Sequence, residues 1–338
     1  MKFSVGYNMP AGGHFLDCII KNREYIDEVY FSWFDFKNGR NSQLNQQGIT
    51  PWEAAERQRG DLMRLHKNGI RFNLLFNGNC YGRDSLSRAF YNKIGDTVDF
   101  IAGNMNLSSV TAASPLIAKF IKTNFPEIPV RASVNMEIGT IQGMDYLAEF
   151  FDGYYMKREL NRNFPEIERL KNWCDKNGKT LCMLANSGCL NNCSAHAFHD
   201  NIVSHEAEIA EMDNCYEFSG ICHEYLKNPE KRISLIRDTN FVRPEDIGAY
   251  EKYFSSVKLA TRVSDKAAMI LESYINGRYC GNVLELLEPN HAGRIFPYVI
   301  DNQRLSNDYL YCSHDCSTCG KCNKNFNAAV IKLKEAYQ

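Results

Sequence analysis

Short apolar runs of strand length recur along the chain, and between them apolar residues fall at helical spacing. The runs cover residues 3–7, 28–33, 71–76, 99–102, 129–134, 153–156, 180–184 and 257–260. Helical patterns occupy 51–65, 115–125, 140–150, 166–176 and 264–275. Thr50 is placed to cap the first of these, with Pro51 at the first helical position, where its missing N–H leaves nothing unpaired. Strands alternating with helices predict βα units around a parallel sheet. Eight units in one unbroken series predict a closed (β/α)8 TIM-type barrel rather than an open doubly wound sheet. The barrel is expected over 1–276, with 189–256 as an elaborated late loop; 277–338 reads as a cysteine-rich C-terminal extension.

Barrel enzymes place their chemistry where strands end, so those positions are candidates. They are Asn8, Trp33 to Asp35, Asn77, Asn79, Cys80, Asn104, Asn135, Glu137, Lys157, Arg158, Glu159, the run from Asn186 to Cys193, and Arg262. Arginine there suits an anionic substrate, because a guanidinium grips a carboxylate with two prongs. Arg158, Glu159 and Arg262 are the candidate catalytic residues. Asparagine serves equally well to cap the helices that follow, and an Arg158–Glu159 pair serves equally well to brace the barrel.

Composition narrows the field. The 338 residues carry a net charge of −1, with 44% hydrophobic and 23% charged. That balance does not point to nucleic acid, whose binders show a basic excess. No segment approaches the ~20 apolar residues that span a bilayer, and no secretory leader precedes the first strand, so a cytoplasmic protein is expected.

Thirteen cysteines change the picture. An odd number fits a reducing compartment, and closely bunched thiolates converge on a metal more readily than they pair with one another. One group comprises Cys182, Cys189, Cys193, Cys215 and Cys222; the other is Cys312, Cys316, Cys319 and Cys322. The second reads C-x3-C-x2-C-x2-C, nearly a ferredoxin run reversed, and favours iron–sulfur, with zinc as the alternative. His196, His199, His205 and His223 lie among the first group and offer imidazoles for a metal or a proton. No G-x-S-x-G elbow, phosphate-binding loop or H-E-x-x-H helix is present, and no nucleophile–base pair declares itself.

Four motifs in order carry a resemblance. Tyr154-Tyr155-Met156-Lys157-Arg158-Glu159-Leu160, then Cys182-x6-Cys189, then Arg243-Pro244-Glu245-Asp246-Ile247, then Val257-Lys258-Leu259-Ala260-Thr261-Arg262 resemble the collagenase-like peptidase family U-32 over about residues 1–285. The resemblance implies a (β/α)8 barrel and a [4Fe-4S] cluster held by four cysteines. In better understood members it also implies oxygen-independent hydroxylation of ubiquinone precursors or RNA bases, with prephenate implicated as oxygen donor. Cys189 carries over best. The C-x3-C from Cys189 to Cys193 and the four-cysteine tail depart from the family pattern, so the expected set is Cys189, Cys193, Cys215 and Cys222, with Cys182 in reserve.

Three readings follow. The first is an iron–sulfur enzyme of anaerobic metabolism with two [4Fe-4S] clusters, a small or medium anionic substrate and an electron-transfer or homologous partner protein. The second is a metal-dependent hydrolase or peptidase of the U-32 type. The third is a non-catalytic module whose metals only staple the fold.

Overall fold

The computed structural model describes residues 1–9, 11–39, 50–312 and 315–333. Eight parallel strands form one sheet: β1 (Lys2–Gly6), β2 (Ile26–Phe31), β3 (Phe72–Phe76), β4 (Leu107–Ala112), β5 (Val130–Ala132), β6 (Gly153–Tyr155), β7 (Thr180–Cys182) and β8 (Ser256–Leu259). Each pairs with its sequence neighbour, and β1 also pairs with β8. The ring closes just beyond β7, where Leu184 bridges Lys258. There the Ala185 N–H donates to the Lys258 carbonyl at 3.0 Å, and the Lys258 N–H to that of Met183 at 3.0 Å. This is the expected (β/α)8 barrel.

Helices α1 (Gly12–Lys21), α2 (Pro51–Lys67), α3 (Arg88–Asn104), α4 (Pro115–Asn124), α5 (Ile141–Asp145) and α6 (Phe164–Lys176) follow the first six strands, and Ala267–Ile275 follows β8. Thr50 caps α2 as expected: its hydroxyl accepts from the Glu53 N–H at 3.2 Å, and the Glu53 carboxylate returns the contact to the Thr50 N–H at 2.7 Å. Ser87, Ser114 and Asn163 cap α3, α4 and α6 through their side chains.

One strand lies elsewhere than expected. Residues 99–102 belong to α3, where Ile94, Thr97, Val98 and Ile101 form a buried helical face. The fourth strand is Leu107–Ala112, whose Ser109 and Thr111 are buried in the barrel and so break the apolar run that marks a strand. Asn104 therefore ends a helix, with its amide on the Phe100 carbonyl at 2.8 Å, and is not a strand-end rim residue. The pattern over 140–150 gives only the short α5, followed by turns.

The lower barrel interior is polar. Glu28, fully buried, accepts from Ser4 at 3.1 Å, Asn73 at 2.9 Å and Arg131 at 2.6 Å through one oxygen. Its other oxygen takes Ser108 at 3.2 Å and Ser109 at 3.3 Å. Lys258 stacks over Tyr30 and Tyr155 at 3.9 and 4.9 Å. Beneath them, near where the strands begin, lies a cavity of ≈ 570 Å³ lined in part by Arg131, Tyr155, Cys182 and Lys258.

The late loop is built of short helices. Helix α7 (His196–Ser204) lies at the barrel mouth, and residues 239–246 return to the rim, where the Val242 N–H donates to the Ala185 carbonyl at 2.8 Å. The extension beyond 277 contains an antiparallel pair, β9 (Tyr298–Ile300) with β10 (Val330–Lys332). It is tied to the barrel by the Glu288 N–H on the Asn186 carbonyl at 3.0 Å and by Arg243 on the Leu305 carbonyl at 2.9 Å. Among the described residues no helix is long and apolar enough to cross a membrane.

Candidate active site and cysteine sites

The rim asparagines act chiefly as braces, although the Asn8 side chain also accepts the Ala11 N–H at 3.1 Å just ahead of α1. Asn8 donates to the Thr261 and Ser264 carbonyls at 2.7 and 2.6 Å, and Asn186 to those of Ala260 and Leu286 at 3.0 and 2.8 Å. Such amides fix the ends of β1, the β7 segment and β8 against one another. A rigid rim can hold a site to fractions of an ångström.

Above β6 and the β7 segment opens a pocket of ≈ 410 Å³, bounded in part by Arg158, Cys189, His196, Asp200, Leu287 and Pro289. Arg158 is buried, with Nη2 at 2.5 Å from His196 Nε2 and Nη1 at 3.8 Å from Cys189 Sγ. His196 Nδ1 lies 2.9 Å from Glu137, and its Nε2 lies 3.5 Å from Asp200. Glu137 holds this position in a left-handed conformation at φ 51°, a strained state for a residue with a side chain. The Arg158 guanidinium donates to His196 Nε2, and its positive charge at the pocket wall attracts an anion.

The predicted catalytic residues part company here. Arg158 borders this pocket. Glu159 instead accepts the Asn192 N–H at 3.2 Å, with Lys157 at 3.8 Å, and so positions the loop from Cys189 to Cys193. The Arg158 ion pair is with Glu137 at 3.8 Å rather than with Glu159. Arg262 braces the opposite rim, donating to Ser32 at 2.9 Å and Asn38 at 3.0 Å.

Among the described residues no disulfide joins the cysteines. Burial pushes the Cys222 thiol up; the Arg294 guanidinium, 3.4 Å from its sulfur, opposes this, and the neighbouring thiols of Cys189 and Cys193 add to it. The Cys222 thiol thus lies within electrostatic reach of Cys189 and Cys193, while Cys215 lies exposed. Cys182 lies in the lower barrel interior, pushed up to about 11 by burial despite Arg131, and lines the lower cavity instead. Soft thiols side by side suit iron or zinc. Among the described residues, however, no three His, Cys, Asp or Glu side chains stand grouped so as to hold a metal ion. The four tail cysteines line one cavity of their own.

Two features escaped the sequence. Fully buried His291 lies under the Cys189 loop, its Nε2 at 2.9 Å from the Gly188 carbonyl, and burial pushes its pKa down to about 4. Gly188 is required there, since a Cβ would fall 2.3 Å from the Pro289 carbonyl oxygen. No spacing links residue 188 to residue 291.

The second feature is a thiol–imidazole pair. Cys80 follows β3, and its sulfur accepts the Gly82 N–H at 3.4 Å. His205, at the end of α7, lies with Nδ1 3.0 Å from Lys37 Nζ and also contacts Glu208. A hydrogen bond from His205 first, and the Gly82 N–H second, pull the Cys80 pKa below the ordinary thiol value, while Cys80 raises that of His205. Asn79 fastens this loop to α7 through Asp200 at 3.2 Å and Ser204 at 3.0 Å. At pH 7 Cys80 should therefore alkylate with iodoacetamide faster than exposed Cys215, and the advantage should fade as pH rises through the ordinary thiol range. His205→Ala should remove it. Equal rates for the two thiols at pH 7 would refute the pairing.

No family model matches the chain. A curated relative, the uncharacterized protease MJ1657 of Methanocaldococcus jannaschii, is 26% identical over 280 residues, covering 79% of each chain. Among solved structures the U32 peptidase Mk0906 superposes with a TM-score of 0.53 at 16% identity, covering 76% of this chain and 91% of its own. Its fold is the barrel described above. The sequence relative is named a protease and the solved neighbour a U32 peptidase, and this chain shares the neighbour's fold.

Proposed function

We propose that this chain is an iron–sulfur enzyme that binds an anionic small or medium substrate at the barrel mouth, for oxygen-independent hydroxylation or a related group transfer. The observation that carries this reading is Cys189 on a pocket bordered by buried Arg158, with the Cys222 thiol near enough to feel both Cys189 and Cys193. Those three would hold the cluster. A bound cluster supplies electron transfer, or Lewis-acid chemistry where one iron keeps an exchangeable position. Arg158 binds the substrate anion, and His196, itself held beside Glu137, orients the guanidinium. Leu287, Pro289, Val203 and Val263 supply apolar wall that excludes water. Electrons would come from a partner protein in a reducing cytoplasm. Cys189→Ala/Cys193→Ala protein, prepared anaerobically, should lose about four irons and four sulfides per chain relative to wild type. Undiminished iron in that variant would rule these two cysteines out as ligands.

A second reading is hydrolysis, since the sequence relative is named a protease and the solved neighbour a peptidase. The pairing of Cys80 with His205 favours it, because it supplies the nucleophile and base that the sequence does not reveal. Peptide hydrolysis lost in Cys80→Ala but kept in the Cys189→Ala/Cys193→Ala variant would decide for it.

A further inference from the structure

The C-terminal extension carries a site that the mouth chemistry does not use. Cys312, Cys316, Cys319 and Cys322 line a single cavity of ≈ 160 Å³, walled also by Arg237, Asp238, Asp315 and Asn323. The turn that presents them is fixed by Asp315: its carboxylate accepts from Ser317 at 2.6 Å and Thr318 at 2.7 Å, and its carbonyl from the Cys319 N–H at 3.1 Å. Helix Lys321–Ala329 begins one residue before Cys322.

A buried cation stands behind the thiols. Arg162 is 1% exposed and stacks on the Tyr309 ring at 4.2 Å. Its guanidinium donates to Asn240 at 3.0 Å and to the Thr239 and Tyr309 carbonyls at 2.6 and 3.2 Å, all neutral acceptors. Cys312 and Cys322 are ionisable neighbours of this guanidinium. The nearby carboxylate, Asp238, is engaged by Arg237 through two bonds of 2.8 Å. A buried charge needs a counter-charge, and Arg162 has Asp238 and the thiols of Cys312 and Cys322 within electrostatic reach.

The spacing of four thiolates differs between the two candidate metals. Zinc–sulfur bonds of about 2.3 Å draw four thiolates to within about 4 Å of one another and leave no void. The four thiols instead border a cavity of ≈ 160 Å³ that they share with Arg237, Asp238, Asp315 and Asn323. A cubane, with iron and sulfide ions at its centre, keeps its four thiolates apart around such a space. Four thiolates on a doubly positive cubane also carry a net double negative charge, which Arg162 and Arg237 flank.

We propose that Cys312, Cys316, Cys319 and Cys322 ligate a [4Fe-4S] cluster, docked on the barrel by Arg162. This holds whatever occupies the mouth. The test uses anaerobically produced full-length protein, with iron, acid-labile sulfide and zinc counted per chain, and electron paramagnetic resonance after dithionite reduction. Cys189→Ala/Cys193→Ala protein should retain about four irons and four sulfides and a reducible cluster signal. Cys316→Ala/Cys319→Ala protein should lose about that amount from the wild-type count, with unchanged far-ultraviolet circular dichroism. If the tail variant does not fold, the mouth variant alone still decides. An iron-free mouth variant, a tail variant with wild-type iron, or one zinc per chain lost only from the tail variant would each overturn the proposal.

Discussion

Replacing Arg131 by methionine should lower the unfolding free energy by about 3–5 kcal/mol, because it strips the counter-charge from a carboxylate with no access to water. Glu28 is 0% exposed, and Arg131, 20% exposed at its side chain, is the cation on it at 2.6 Å. Burial alone would raise the Glu28 pKa; Arg131 first, then Asn73 and Ser4, outweigh it and hold the carboxyl below its ordinary value. A lowered folded value means that the pair stabilises above the unfolded glutamate value, and that this is lost as pH falls through the folded one. Without Arg131 burial pushes the carboxyl up, so the deficit of the variant should shrink toward acid pH. Adding Glu28→Gln should restore most of the loss at neutral pH. Urea unfolding of the single and double variants from pH 7 downward measures all three; a single-variant loss under about 1 kcal/mol would contradict a buried pair.

Arg158→Lys should cut kcat/KM on an anionic substrate by about 10–150-fold, the equivalent of one charged contact at about 1.5–3 kcal/mol. Lysine keeps the charge but not the planar fork with which Arg158 reaches His196, Cys189 and Glu137 together. Arg262→Lys is the matched control. Its guanidinium is engaged with Ser32 and Asn38 on the far rim, so turnover should stay near wild type. Wild-type kcat/KM in Arg158→Lys would place the substrate elsewhere.

These contrasts mark how far local pattern reaches. Arg158 and Arg262 look alike in sequence, each two or three residues past a strand, and only the positions of β6 and β8 in the ring separate their surroundings. The fourth strand was misplaced because a barrel interior that accepts Ser109 and Thr111 breaks the apolar run, while α3 supplies a better one. Likewise the rim asparagines sit where the pattern puts them, but their amides chiefly bind strand-end carbonyls rather than helix N-termini.

By itself the sequence determined the alternation of strands and helices, hence the barrel, and the bunching of thiols within each short segment. Those properties depend on neighbours a few residues apart, and periodicity, capping and spacing record them. The tertiary structure alone decided the surroundings of each thiol: Cys222 within electrostatic reach of Cys189 and Cys193, and Cys182 in the lower interior despite its place in the same motif. It also brought His205 to Cys80, His291 under Gly188, and Arg162 to the tail cysteines. Partners 29 to 160 residues apart leave no periodic trace, because ring closure and loop packing, not local propensity, bring them together.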